Sequence, residues 1–98
     1  MNYSHSIGMF ILAQPTDNYQ TCMETIEYAC NLDLSVAQFS IFTPYPGTPF
    51  YKENIHLIDE DRYENFNQYN LVYSHNEFTK KQARRILDLA YKKFLNQD

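Results

Sequence analysis

Three prolines and a glycine fall within the six residues Pro44-Tyr45-Pro46-Gly47-Thr48-Pro49, and they leave the chain few paths through its middle. Just ahead, Ala37, Phe39 and Ile41 alternate with Gln38, Ser40 and Phe42, the pattern of a strand with two unlike faces. Pro44 has no backbone N–H and cannot continue a central ladder. Thr43, Tyr45 and Thr48 each precede a proline and are pushed toward extended geometry. Pro46-Gly47 suits the two central positions of a type II turn, because proline presets a negative φ and glycine accepts a positive one. Thr48 then stands as a helix N-cap with Pro49 at the first helical position. The stretch therefore reads as a strand over 36–42, a rigid loop over 43–49 and a short helix over about 49–54. In α/β folds such a loop lies at the carboxyl ends of the strands, where ligands bind.

The rest of the chain fits around this centre. Residues 6–13, from Ser6 to Ala13, form a nearly continuous apolar run and predict a strand buried on both faces, as in a parallel sheet. Asp17 as N-cap, with Gln20 at the capping-box position, opens a helix over 18–32. That helix gathers Cys22, Ile26, Ala29 and Cys30 on one face. Strand, helix, strand make a βαβ unit with parallel strands, so both strand-to-helix loops open on the same end of the sheet. Beyond Pro49 we expect an apolar connector at Ile55–Ile58, a short helix over 60–66 and a short strand or extended segment over 70–74. A closing helix over 80–95 is capped by Thr79 and Gln82 and buries Ala83, Ile86, Leu87, Ala90 and Phe94. The fold class is α/β, in one domain.

Composition narrows the functional classes. A net charge of −4 argues against a nucleic-acid partner, which calls for a clustered basic face. No apolar run approaches the ~20 residues of a membrane span. The start Met1-Asn2-Tyr3-Ser4-His5 lacks the basic region of a signal peptide, so the expected location is the cytoplasm. Cys22 and Cys30 lie about 12 Å apart along one predicted helix, too far for a disulfide. His5, His56 and His75 are scattered, with no helical ligand spacing, and no metal site is expected from them. Asp59-Glu60-Asp61 is either a metal site or, more commonly, a solvated helix start favoured by the dipole. Tyr45, Phe50 and Tyr51 cluster at the central loop and either stack on a planar cofactor or cap a small core. No nucleophile elbow and no glycine-rich phosphate loop is present, and no catalytic residue is assigned.

The run AQFSIFTPYPGTPFY, Ala37 to Tyr51, resembles the sixth strand and following loop of radical S-adenosylmethionine enzymes. The likeness is to the branch that often carries a cobalamin-binding domain upstream, whose best-known members are the anaerobic magnesium-protoporphyrin IX monomethyl ester oxidative cyclases. Gly8 to Asp17 is similar to the family's fifth-strand segment, which usually has Gly where this chain has Ala13 and Thr16. Thr79 to Leu95 resembles the helix that closes the partial barrel. The resemblance implies the last third of a radical S-adenosylmethionine partial TIM barrel. It places Ile11, Ala13, Phe42, Thr43 and Pro44 along the S-adenosylmethionine pocket.

The family holds a [4Fe–4S] cluster with a CxxxCxxC motif that is absent here, and two cysteines cannot replace three ligands. The resemblance thus implies a C-terminal part of an oxidoreductase or methyltransferase that binds no cofactor alone. The whole enzyme would use S-adenosylmethionine, the cluster and, where the upstream domain is present, cobalamin. Its implied partner is the N-terminal portion of the barrel, and an exposed strand edge would otherwise invite self-association. The alternative is a free-standing α/β interaction module that has lost the chemistry.

Overall fold

The computed structural model describes residues 7–96; His5, the Met1–His5 start and Ser6 lie outside the described residues. Strand β1 (Ile7–Leu12) pairs in parallel with β2 (Val36–Ile41), in the register Ile7 with Val36 through Leu12 with Ile41. Helix α1 (Tyr19–Asn31) joins them and completes the expected βαβ unit. Helix α2 (Pro49–Glu53) follows the central loop, and α3 (Lys80–Leu95) closes the fold. The core lies on one side of the sheet. There Leu12, Phe39 and Ile41 meet Cys22, Ile26 and Ala29 of α1 and Ile86, Leu87, Ala90 and Phe94 of α3. Phe39 is the hub, stacked on Phe10 at 5.5 Å and set edge-on to Tyr91 at 5.3 Å. Gly8 permits a close approach here: a Cβ would lie 2.6 Å from the Leu34 side chain.

The other side of the sheet is open, which corrects the expectation that the first strand is buried on both faces. Ile7, Met9 and Ile11 are 65%, 75% and 47% exposed, and Val36 beside them is 52% exposed. Both long helices pack on the opposite face, so among the described residues nothing covers this one. The sheet edges differ too. On the outer edge of β2, Tyr91 Oη accepts the Phe39 N–H and donates to the Phe39 carbonyl, both at 2.9 Å. The Ile41 N–H donates to Gln68 O at 2.7 Å, from a residue at φ 72°. These groups close that edge to a further strand, whereas on the outer edge of β1, among the described residues, only the Gln14 side chain reaches a backbone oxygen, that of Ile11, at 3.4 Å.

The α1 cap sits one residue later than expected. Asn18 Oδ1 accepts the Thr21 N–H at 2.9 Å, and Thr21 Oγ1 accepts the Asn18 N–H at 2.8 Å. Asp17, expected as the cap, closes the preceding turn by accepting the Gln14 N–H at 2.9 Å. Gln20, expected in the box, reaches Glu24 on the exposed face. The segment expected as a strand over 70–74 makes a single antiparallel bridge, Tyr73 with Ile58. Its partner stretch is too short for a ladder, lying between a 3-10 turn at Ile55–Leu57, where a connector was expected, and the acidic run. The helix expected over 60–66 shortens to a 3-10 turn at Tyr63–Asn65. Glu60 causes this by accepting the Arg62 N–H and the Asn65 amide, which winds the chain tightly and stops it.

Candidate functional site

The carboxyl ends of β1 and β2 lie side by side, joined by the Phe42 N–H donating to Leu12 O at 2.9 Å. Two loops leave this edge. The second is the proline-rich one: Thr48 N–H donates to Tyr45 O at 3.1 Å and Gly47 has φ 94°, the geometry of a type II turn. Thr48 caps α2 by accepting the Tyr51 N–H at 3.4 Å, with Pro49 in the first turn.

The first loop is built more tightly. Ala13 is fully buried at φ 58°, in the left-handed region that favours glycine. It is held from below by residues far away in sequence. Tyr73 Oη donates to the Ala13 carbonyl at 2.9 Å. His75 contacts the Gln14 carbonyl through Nε2 at 2.7 Å, while its Nδ1 accepts the Glu77 N–H at 3.0 Å. The two contacts assign the imidazole proton to Nε2. Asp17 receives the Gln14 N–H and, at 2.8 Å, the Thr21 hydroxyl. Burial, with the Asp17 charge adding to it, pushes the Tyr73 phenol well above its ordinary range. Burial likewise pushes the Cys22 thiol up to about 11, against the pull of the Ala13 N–H. Burial therefore holds both groups in the neutral form near pH 7.

The five residues implied as pocket wall sort by depth. Ile11 stands exposed on the open sheet face, Phe42 and Thr43 are half-buried, and Ala13 and Pro44 are buried. They share one edge of the sheet, but their polar groups are largely spent within the fold. Thr43 Oγ1, for example, donates to Ile41 O at 3.0 Å. Phe42, Phe50 and Tyr73 form a triangle of edge-on rings 5.2–5.9 Å apart. Tyr51 turns away to Phe66, so the expected trio of Tyr45, Phe50 and Tyr51 does not assemble. A hollow of about 120 Å³ beside the first loop, between Pro15, Phe50, Tyr73 and His75, is smaller than the ~300 Å³ at which ligand pockets begin.

No group of His, Cys, Asp and Glu among the described residues can hold a metal ion. Of the acidic run, Asp59 and Glu60 face Lys80 at 3.1 and 3.7 Å, an ion-pair anchor for α3, while Glu60 also accepts the Arg62 N–H at the start of the 3-10 turn. Tyr73 and His75, which build the first loop, were not legible as site residues, because their partners lie about sixty positions away.

No family model matches the chain. Over 92 residues, 92% of its length, the chain is 33% identical to an uncharacterized methyltransferase of Pyrococcus horikoshii. It spans 20% of that protein.

Proposed function

We propose that this chain forms part of the S-adenosylmethionine pocket wall and the C-terminal cap of a larger radical S-adenosylmethionine-type methyltransferase or oxidoreductase acting in the cytoplasm. The observation that carries the reading is the open apolar sheet face, Ile7, Met9, Ile11 and Val36, running up to the edge where both loops emerge. The likeness to a methyltransferase supports the same coarse class. The PYPGTP loop is the support for the finer reading, an enzyme similar to the oxidative cyclases.

The residues present fit only part of what such an enzyme binds. Ile11 offers an exposed apolar surface suited to one face of an adenine. The backbone groups of the Ala13 turn are already taken by Tyr73, His75 and Asp17, so they offer little to a ligand's polar atoms. Among the described residues no set fits an iron–sulfur cluster. The cluster, and cobalamin where it is used, would be held by the N-terminal part of the barrel. That part would pair with the bare edge of β1. No reaction step is assigned to this chain.

The test is an NMR titration of the isotope-labelled chain with S-adenosylmethionine. The expected result is small shifts at Ile11, Ala13, Phe42 and Thr43 that do not saturate at micromolar ligand. Shifts centred elsewhere, or none at these residues at the highest ligand concentration, would overturn the reading. The second outcome would favour a free-standing interaction module.

A further inference from the structure

Helix α3 carries six of the eight Lys and Arg residues and only one of the twelve Asp and Glu. The sequence-wide charge of −4 hides this segregation. Lys81, Arg84, Arg85 and Lys92 are all exposed, on the side away from the buried face of Ala83, Ile86, Leu87, Ala90 and Phe94. From Lys81 to Lys92 the stripe runs roughly 16 Å at the rise of an α-helix.

The stability of the helix does not account for the stripe. Lys92 and Lys93 complement the negative C-terminal end, but Lys80, Lys81, Arg84 and Arg85 crowd the positive end, and the first turn holds no acid. Lys80 is offset by Asp59 and Glu60, and Arg84 has Asp88 at 3.7 Å. Lys81 and Arg85 have no acidic partner among the described residues. Beside Arg85 the surface dips into a hollow of about 250 Å³ walled by Tyr19, Phe78 and Ile86, with Glu77 and Gln82 on its rim.

We propose that the α3 stripe and this hollow are a docking surface for an acidic, amphipathic segment of another protein, with carboxylates on Lys81, Arg84, Arg85 and Lys92 and an apolar side chain in the hollow. Two features favour a protein over a nucleic acid. Asp88 interrupts the stripe and would face a phosphate run with a like charge, whereas a peptide can set a basic residue there. The hollow sets the Glu77 carboxylate, which repels a phosphate, beside Tyr19, Phe78 and Ile86, which suit an apolar peptide side chain. The surface uses none of the residues placed at the sheet edge, so it stands or falls apart from that reading.

The test is fluorescence anisotropy on the full chain with a labelled helical peptide that carries Glu at i, i+3, i+4 and i+7 and a Leu on its other flank. An RNA duplex and phosphatidylserine vesicles serve as competing probes. The expected result is saturable peptide binding that weakens with salt and falls about tenfold or more in Lys81→Glu/Arg85→Glu. Lys52→Glu, on α2, should leave binding unchanged. Lys81→Glu alone should raise the unfolding midpoint, because an acid suits a helix N-terminus, so lost binding cannot be read as lost folding. Absence of saturable peptide binding, an equal loss in Lys52→Glu, or tighter binding to the duplex or the vesicles would overturn the proposal.

Discussion

Gly47 and Ala13 occupy the same backbone region, one with the residue that suits it and one without. At Gly47 a Cβ meets nothing within 4 Å, so a substitution is penalised by the backbone alone. Gly47→Val should cost roughly 1–2 kcal/mol and Thr48→Ala about 1 kcal/mol, read as urea midpoints. A wild-type midpoint in Gly47→Val would mean the turn tolerates a side chain. In Ala13→Gly relief of the left-handed strain is offset by the entropy penalty of glycine and the loss of a buried methyl, so stability should change by less than about 1 kcal/mol. At Cys22 the raised pKa fixes the sign of a pH effect. The fold favours the neutral thiol over a thiolate, so its contribution is full below the ordinary value of 9.0 and is lost as pH climbs through about 11. Tyr73 acts in the same direction. Alkaline titration of the unfolding midpoint should show this fall. Mass spectrometry after brief alkylation at neutral pH should find Cys30, which is half-buried, modified ahead of Cys22.

Among the elements, β2 depends on α3 for more than apolar packing. Tyr91 closes the outer edge of the strand with two hydrogen bonds to one residue, a substitute for a neighbouring strand. Tyr91→Phe keeps the ring contact with Phe39 and removes both bonds. It should cost about 1–3 kcal/mol in urea unfolding, because the Phe39 N–H and carbonyl lose their partner. An unchanged midpoint would show that water replaces the hydroxyl without penalty. The Asp59–Glu60–Lys80 anchor is open to solvent by comparison, and its neutralisation should leave the urea midpoint nearly unchanged.

At the scale of the molecule, the two sheet edges predict one-sided growth. Among the described residues the β1 edge meets only the Gln14 side chain, is apolar and lacks the charges that usually protect an edge, while the β2 edge is plugged. Light scattering across concentration should show self-association of the chain alone, reduced by Met9→Lys; a strict monomer at high concentration would count against exposed pairing. The order of strand, helix and strand, the turn at Pro46-Gly47 and the Thr79–Gln82 cap were all legible in the sequence. They rest on local preferences: apolar period, proline and glycine dihedrals, and side chains that bond backbone three residues away. The sequence also carried the segregated charge of α3, although the net value concealed it. Tertiary structure alone decided which face of β1 stays open, because an apolar strand reads the same whether one face is covered or two. It alone showed how Tyr73 and His75 hold the Ala13 turn, since no local pattern announces a hydrogen bond across some sixty residues. It also reduced the 70–74 segment to one bridge, because a strand exists only where a partner long enough to pair with it arrives.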